Sequence, residues 1–100
     1  MIRHVVMWRL KPEAKRSGGP DNLERIEANL AAMRGAIAGL RRIELAVNQA
    51  AAPDAADLLL LADFDDWEAL RGYESHALHD ELRVLIGPIR NERRVVDYEL

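Results

Sequence analysis

Residues 58–64 read LLLLADF, seven positions of which only Asp63 is polar. A run of four leucines has no periodicity that separates strand from helix. Its length does, since a helix usually needs ten or more residues, and Asp57 and Asp65 bound the run on either side. The segment is predicted to be a strand buried on both faces, and that reading orders the rest of the chain.

Upstream, RRIELAV (41–47) alternates with Ile43, Leu45 and Val47 inward, and NQAAAPDAAD (48–57) is a loop around Pro53. Before it, Leu23, Ile26, Leu30, Met33 and Ile37 recur at three- and four-residue spacing. That stripe predicts a helix, opened by a capping box of Asp21 and Glu24 and closed by Gly39. KPEAKRSGGP (11–20) is predicted to be a polar loop. IRHVVMWRL (2–10) alternates as a strand with Ile2, His4, Val6, Trp8 and Leu10 on one face and Arg3, Val5, Met7 and Arg9 on the other. Downstream, Asp66 to Tyr73 suits a short helix. A second begins at Ser75, carries Leu78, Leu82, Leu85, Ile86 and Ile89, and halts at Gly87-Pro88. RRVVDYEL (93–100) alternates again, with Val96, Tyr98 and Leu100 on one side.

The order is βαββαβ with the second helix in two pieces, a single domain over residues 1–100. It predicts an α+β, ferredoxin-like fold, a four-stranded antiparallel sheet with its helices on one face. Val5, Met7 and alternate leucines of 58–61 then leave apolar surface on the other face. Such a face is rarely left bare, so a homodimer is expected to cover it.

Fourteen Lys and Arg stand against seventeen Asp and Glu, a net charge of −3, with no basic cluster longer than Arg41-Arg42 or Arg93-Arg94. Nucleic acid is therefore not an expected partner. RNA-binding modules of similar topology also need aromatic and basic residues on strands where this chain has leucines. With no cysteine there is neither a disulfide nor a thiolate metal site. The opening MIRHVVMWRL is interrupted by Arg3 and Arg9, so neither a signal peptide nor a membrane span is expected, and the cytoplasm is the expected location.

Candidate chemistry gathers in YESHALHDEL (73–82), which holds a tyrosine and two of the three histidines. In a helix from Ser75, His79 shares the side of Leu82 and Ile86 and points inward. His4 lies on the strand face of Val6 and Trp8, so the two imidazoles approach one cavity if that face meets the helices. A histidine in apolar surroundings stays neutral near pH 7 and serves as a general base, while Tyr73 donates to a developing enolate oxygen. The competing reading is a core histidine satisfied by a backbone carbonyl. His76 and His79 lack a third and fourth metal ligand nearby, so no metal is expected, and Asp80 and Glu81 complement the helix amino end. Trp8 and Trp67 suit core packing better than a flat cofactor, and no cofactor is expected.

Together IRHVVMWRLK, YESHALH and VVDYE resemble the stress-responsive A/B barrel (Dabb) family of the dimeric α+β barrel superfamily, over nearly the whole chain. The resemblance implies two subunits packed sheet against sheet into a barrel, each with a cavity between its own sheet and helices. A plant polyketide cyclase of that family closes a linear polyketide by aldol condensation. Its catalytic histidine and tyrosine fall at His79 and Tyr73, and a cavity histidine falls at His4. A further cavity histidine falls near Leu58 and a tyrosine near Leu30, implying a more apolar pocket here. Ala77 stands where the family commonly has proline. The resemblance thus implies His79 and Tyr73 as catalytic, with His4, Trp8, Leu30, Leu58 and His76 binding an apolar carbonyl-containing metabolite. The alternative is a non-catalytic, stress-associated or accessory dimer.

Overall fold

In the computed structural model, strand β1 (Ile2–Leu10) lies inside the sheet and alternates buried with more exposed residues, as its sequence dictates. The structure describes residues 1–16 and 19–100, with the side chains of 16–21 left aside. After β1 come α1 (Pro12–Arg16), α2 (Gly19–Met33), β2 (Leu40–Val47), β3 (Leu58–Phe64), α3 (Trp67–Glu74), α4 (Ala77–Ile86) and β4 (Arg90–Glu99). The strand order is β2-β3-β1-β4, and every pairing is antiparallel. This is the four-stranded, ferredoxin-like α+β sheet that the order of elements predicts.

Register explains why one face is the core. Ile2, His4, Val6 and Trp8 stand opposite Phe64, Ala62, Leu60 and Leu58, and Ile43 stands opposite Ala62. All nine are buried in one plane. Onto it α2 lays Ile26, Leu30 and Met33, α3 lays Leu70 and Tyr73, and α4 lays Leu82 and Ile86. Burial of these side chains, each contributing roughly 1.5–3 kcal/mol, is the main force holding the helices down. Asn29 Nδ2 adds a bond across the helix pair, donating to the Leu78 carbonyl at 2.9 Å.

The opposite face is apolar in its middle and open. Met7 is 37% exposed, Val96 54% and Tyr98 42%, with Leu59 and Leu61 half-buried between them. A forked ion pair interrupts it: Arg3 grips Asp63 with Nε and an amino nitrogen at 2.8 and 3.0 Å from directly across the β1–β3 ladder.

Six local expectations are corrected, two of them by exposure: Val47, expected inward, is 52% exposed at the end of β2, and Trp67, expected in the core, is 43% exposed at the start of α3. Part of the predicted loop 11–20 is the short helix α1, which Pro12 opens, a position where proline loses no hydrogen bond. Helix α2 begins at Gly19, so Asp21 lies inside it, and the Asp21 side chain is outside the described residues. That helix stops at Met33 rather than at Gly39. Gly35, at φ +84°, turns the chain first, and Ile37 reaches the core from the turn that follows. Gly39, also left-handed at φ +79°, leads into β2 instead. Helix α4 is capped by His76 rather than Ser75, because Ser75 is already the C-cap of α3, its Oγ donating to the Arg71 carbonyl at 3.2 Å. Among the described residues no helix is long and apolar enough to cross a membrane.

Candidate functional site

Three elements bring the chemistry together. The inward alternation of β1 places His4 among Val6 and Trp8, 1% exposed. Strand β4 pairs with β1 so that Asp97 is the direct partner of His4, and Asp97 Oδ1 hydrogen-bonds His4 Nδ1. Helix α3, capped by the Asp66 carboxylate on the Ala69 amide at 2.9 Å, ends with Tyr73 turned into the core. Then α4 opens on the His76 cap and presents His79 in its first turn, on the face of Leu82 and Ile86.

Tyr73 is the hub of the resulting cluster. Its ring centroid lies 4.7 Å from that of His79, 5.7 Å from His4 and 5.1 Å from Phe64, the two histidines meeting it edge-on. The rings of Tyr73, His4 and His79 border a cavity of about 420 Å³, within the range of small-molecule sites. Its floor is buried and formed by His4, Val6, Trp8, Tyr73, His79 and the α4 side chains Leu82 and Ile86. Exposed Glu74, Arg83, Arg90 and Arg93 form its rim.

Electrostatics keeps both candidate groups neutral at pH 7. Burial, then the positive charge of Arg83, moves His79 down to about 4. Burial likewise pushes the Tyr73 phenol well above its ordinary range. A neutral imidazole offers one ring nitrogen as acceptor and the other as donor, and a neutral phenol offers a proton. Buried polar atoms normally find partners, yet among the described residues His79 Nδ1 has none, and neither does the indole nitrogen of Trp8 on the same floor. His79 Nδ1 thus carries an unmet hydrogen bond on a residue that lines the cavity.

The structure thus gathers His4, Trp8, Tyr73 and His79 around one cavity and sets the other three candidates apart. Leu30 is fully buried in the core under α2. Leu58 borders a separate hollow of about 270 Å³ with Leu10, Leu23 and Ile89. His76 spends its Nδ1 on the Leu78 amide at 3.0 Å, while His79 three residues on faces inward, so the two do not form a metal pair. Among the described residues no cluster of three or more histidines and carboxylates is placed to hold a metal. Asp97 and the rim arginines escaped the sequence reading. Alternation puts Asp97 on the face opposite Val96 and Tyr98, but only the β1–β4 register brings it to His4.

A ferredoxin-like sheet with a histidine-lined cavity beneath its helices defines a broad class of small α+β proteins. Within it, the family model for the Stress Responsive A/B Barrel Domain (Dabb) matches residues 2–100, and the chain belongs to that family. Among solved structures it is similar to a dimeric ferredoxin-like protein of Bacteroides fragilis, with TM-score 0.86 and 20% identity over 99% of this chain and 95% of that one. A dimeric ferredoxin-like protein of Thermobifida fusca gives TM-score 0.82 and 25% identity over 99% and 90%. The hydroxynitrile lyase of Passiflora edulis shares the fold at TM-score 0.77 and 13% identity over 97% and 90%. No match was found among curated proteins.

Proposed function

We propose that the protein is a homodimer whose cavity binds an apolar, carbonyl-containing metabolite, on which His79 acts as general base and Tyr73 as hydrogen-bond donor. The open sheet face with Met7, Val96 and Tyr98, and the dimeric state of the Bacteroides and Thermobifida proteins, support the dimer. The observation that carries the site is His79 Nδ1, buried and unpartnered beside Tyr73 in a cavity of ligand size.

The chemistry that suits this pair is an aldol closure. His79 takes a proton from the carbon next to a carbonyl, and that carbon's electron pair forms the new C–C bond to a second carbonyl carbon. The π pair of the second carbonyl moves onto its oxygen, which regains a proton from the imidazolium, so no electrons are gained or lost. Tyr73 stabilises the enolate oxygen that forms on the way. His4, held by Asp97, fixes the floor against which the substrate lies.

The binding step is tested by thermal unfolding with alkyl or aryl β-keto compounds. A ligand bound only by the folded state raises the melting temperature. Stabilisation that is lost when Val6→Trp fills the floor is the expected result. A melting curve that no such compound moves contradicts the proposal and leaves the accessory-dimer alternative.

A further inference from the structure

Charge around this cavity is distributed unlike charge on the rest of the chain. The protein carries a net charge of −3, yet three of its fourteen cationic side chains stand on one rim against a single carboxylate, Glu74. Arg83 is partly engaged by Asp80 at 3.6 Å. Arg90 and Arg93 have no ion-pair partner among the described residues, although the exposed arginines Arg41 and Arg42 each find a carboxylate within 2.8 Å. Arg93 is paired with Trp8 across the β1–β4 ladder and so projects on the side of the floor.

The floor adds a second, independent demand. The Trp8 indole nitrogen only donates, is buried and has no acceptor. His79 is nine-tenths buried with Nδ1 likewise unpartnered. Between these groups the walls are Val6, Leu82 and Ile86. The site therefore has an apolar body, buried polar atoms that lack partners and a cationic mouth.

We infer that the ligand is an amphiphilic anion, its apolar body and carbonyl oxygen on the floor and an anionic oxygen head group at the rim against Arg93 and Arg90. The assignment rests on the binding reading above and deepens it. Guanidinium groups pair with carboxylate or phosphate oxygens in forked geometry, so both head groups satisfy the rim's chemistry. Occupancy has a consequence inside the cavity. The positive charge of Arg83 and Arg93 contributes to holding His79 neutral, so an anion at the rim offsets it and makes His79 a stronger base when substrate is present.

The test is equilibrium binding to the full-length protein carrying Trp67→Phe, read by Trp8 fluorescence. The probes are 5-phenyl-3-oxopentanoate, its methyl ester, and a 3-oxoalkyl phosphate of matched length. Both anions are expected to bind about tenfold or more tightly than the ester, with a preference that shrinks at high salt. The variant R90Q/R93Q is expected to abolish the preference while leaving ester binding unchanged, which also shows that it is folded. The tighter of the two anions identifies the head group. Equal binding of anions and ester, or a preference that survives in the double variant, overturns the inference while leaving the binding reading intact. Absence of binding by all three probes overturns both.

Discussion

The ring of His79 meets the ring of Tyr73 edge to face at a centroid distance of 4.7 Å, although the two side chains come from different helices. Tyr73 lies in the last turn of α3, and the tight passage through Ser75 and His76 swings the chain so that the first turn of α4 returns to the same core. The pair is fixed by the cap geometry of two short helices, and its consequences are measurable.

The pH dependence of stability follows from His79. Its folded-state value, about 4, lies below the unfolded value of about 6.5, so between these limits the unfolded chain binds the extra proton. Stability is complete above about pH 6.5, falls as pH drops towards 4, and levels off below for this group. Thermal unfolding of His79→Leu should show a flatter profile across that window. Asp63 and Asp65, both lowered chiefly by bonds to their arginines, lose their contribution only below the ordinary carboxylate range.

Two glycines separate strain from crowding. Both are left-handed, but a Cβ at Gly35 meets nothing within 4 Å, whereas at Gly39 it would lie 2.5 Å from the Ala69 Cβ. Gly35→Ala should cost about 1 kcal/mol from backbone strain alone. Gly39→Ala adds a collision between the β2 entry and α3 and should cost about 2 to 4 kcal/mol. Urea denaturation of the two variants gives the comparison.

Two forked ion pairs of similar geometry differ in burial. Arg41–Asp65 is exposed, while Asp63, paired with Arg3, is 3% exposed within the open sheet face. Removing a partner matters most where the remaining charge is not free to hydrate. Arg3→Ala, which leaves the Asp63 carboxylate buried and unpaired, should lower the denaturation midpoint clearly, and Arg41→Ala, which leaves Asp65 in water, hardly at all.

The same sheet face tests assembly. Sedimentation equilibrium should give twice the chain mass, and Met7→Asp, which places a carboxylate between Leu59 and Arg94 on that face, should shift the population towards monomer. A wild-type chain that remains monomeric at micromolar concentration contradicts the dimer.

What the sequence revealed depended on the range of the interaction. The alternation of 2–10 and the flanked run 58–64 are local patterns, and both became strands with the expected faces. The inward position of His79 is also local, since Leu82 and Ile86 mark its helix face. The stripe from Leu23 to Ile37 misled only at its end, because burial of Ile37 after the Gly35 turn imitates continued helix. Asp97 was illegible because its meeting with His4 depends on a register joining residues 93 apart. The arginine rim depends in the same way on where β4 passes α4, and Leu58 was set apart because the cavity borders the β1–β4 side of the sheet rather than β3.

Proton abstraction by His79 is the central claim, and it is tested most directly without knowing the natural substrate. A phenyl-substituted dialkyl ketone such as 4-phenyl-2-butanone exchanges its α-protons slowly in D₂O, and NMR follows that exchange with and without protein. A general base in the cavity removes a proton and returns a deuteron, so exchange should be accelerated by the wild type, about 100-fold less by His79→Gln, and partly by Tyr73→Phe. Acceleration by His79→Gln equal to that of the wild type, with both proteins folded, would contradict the account.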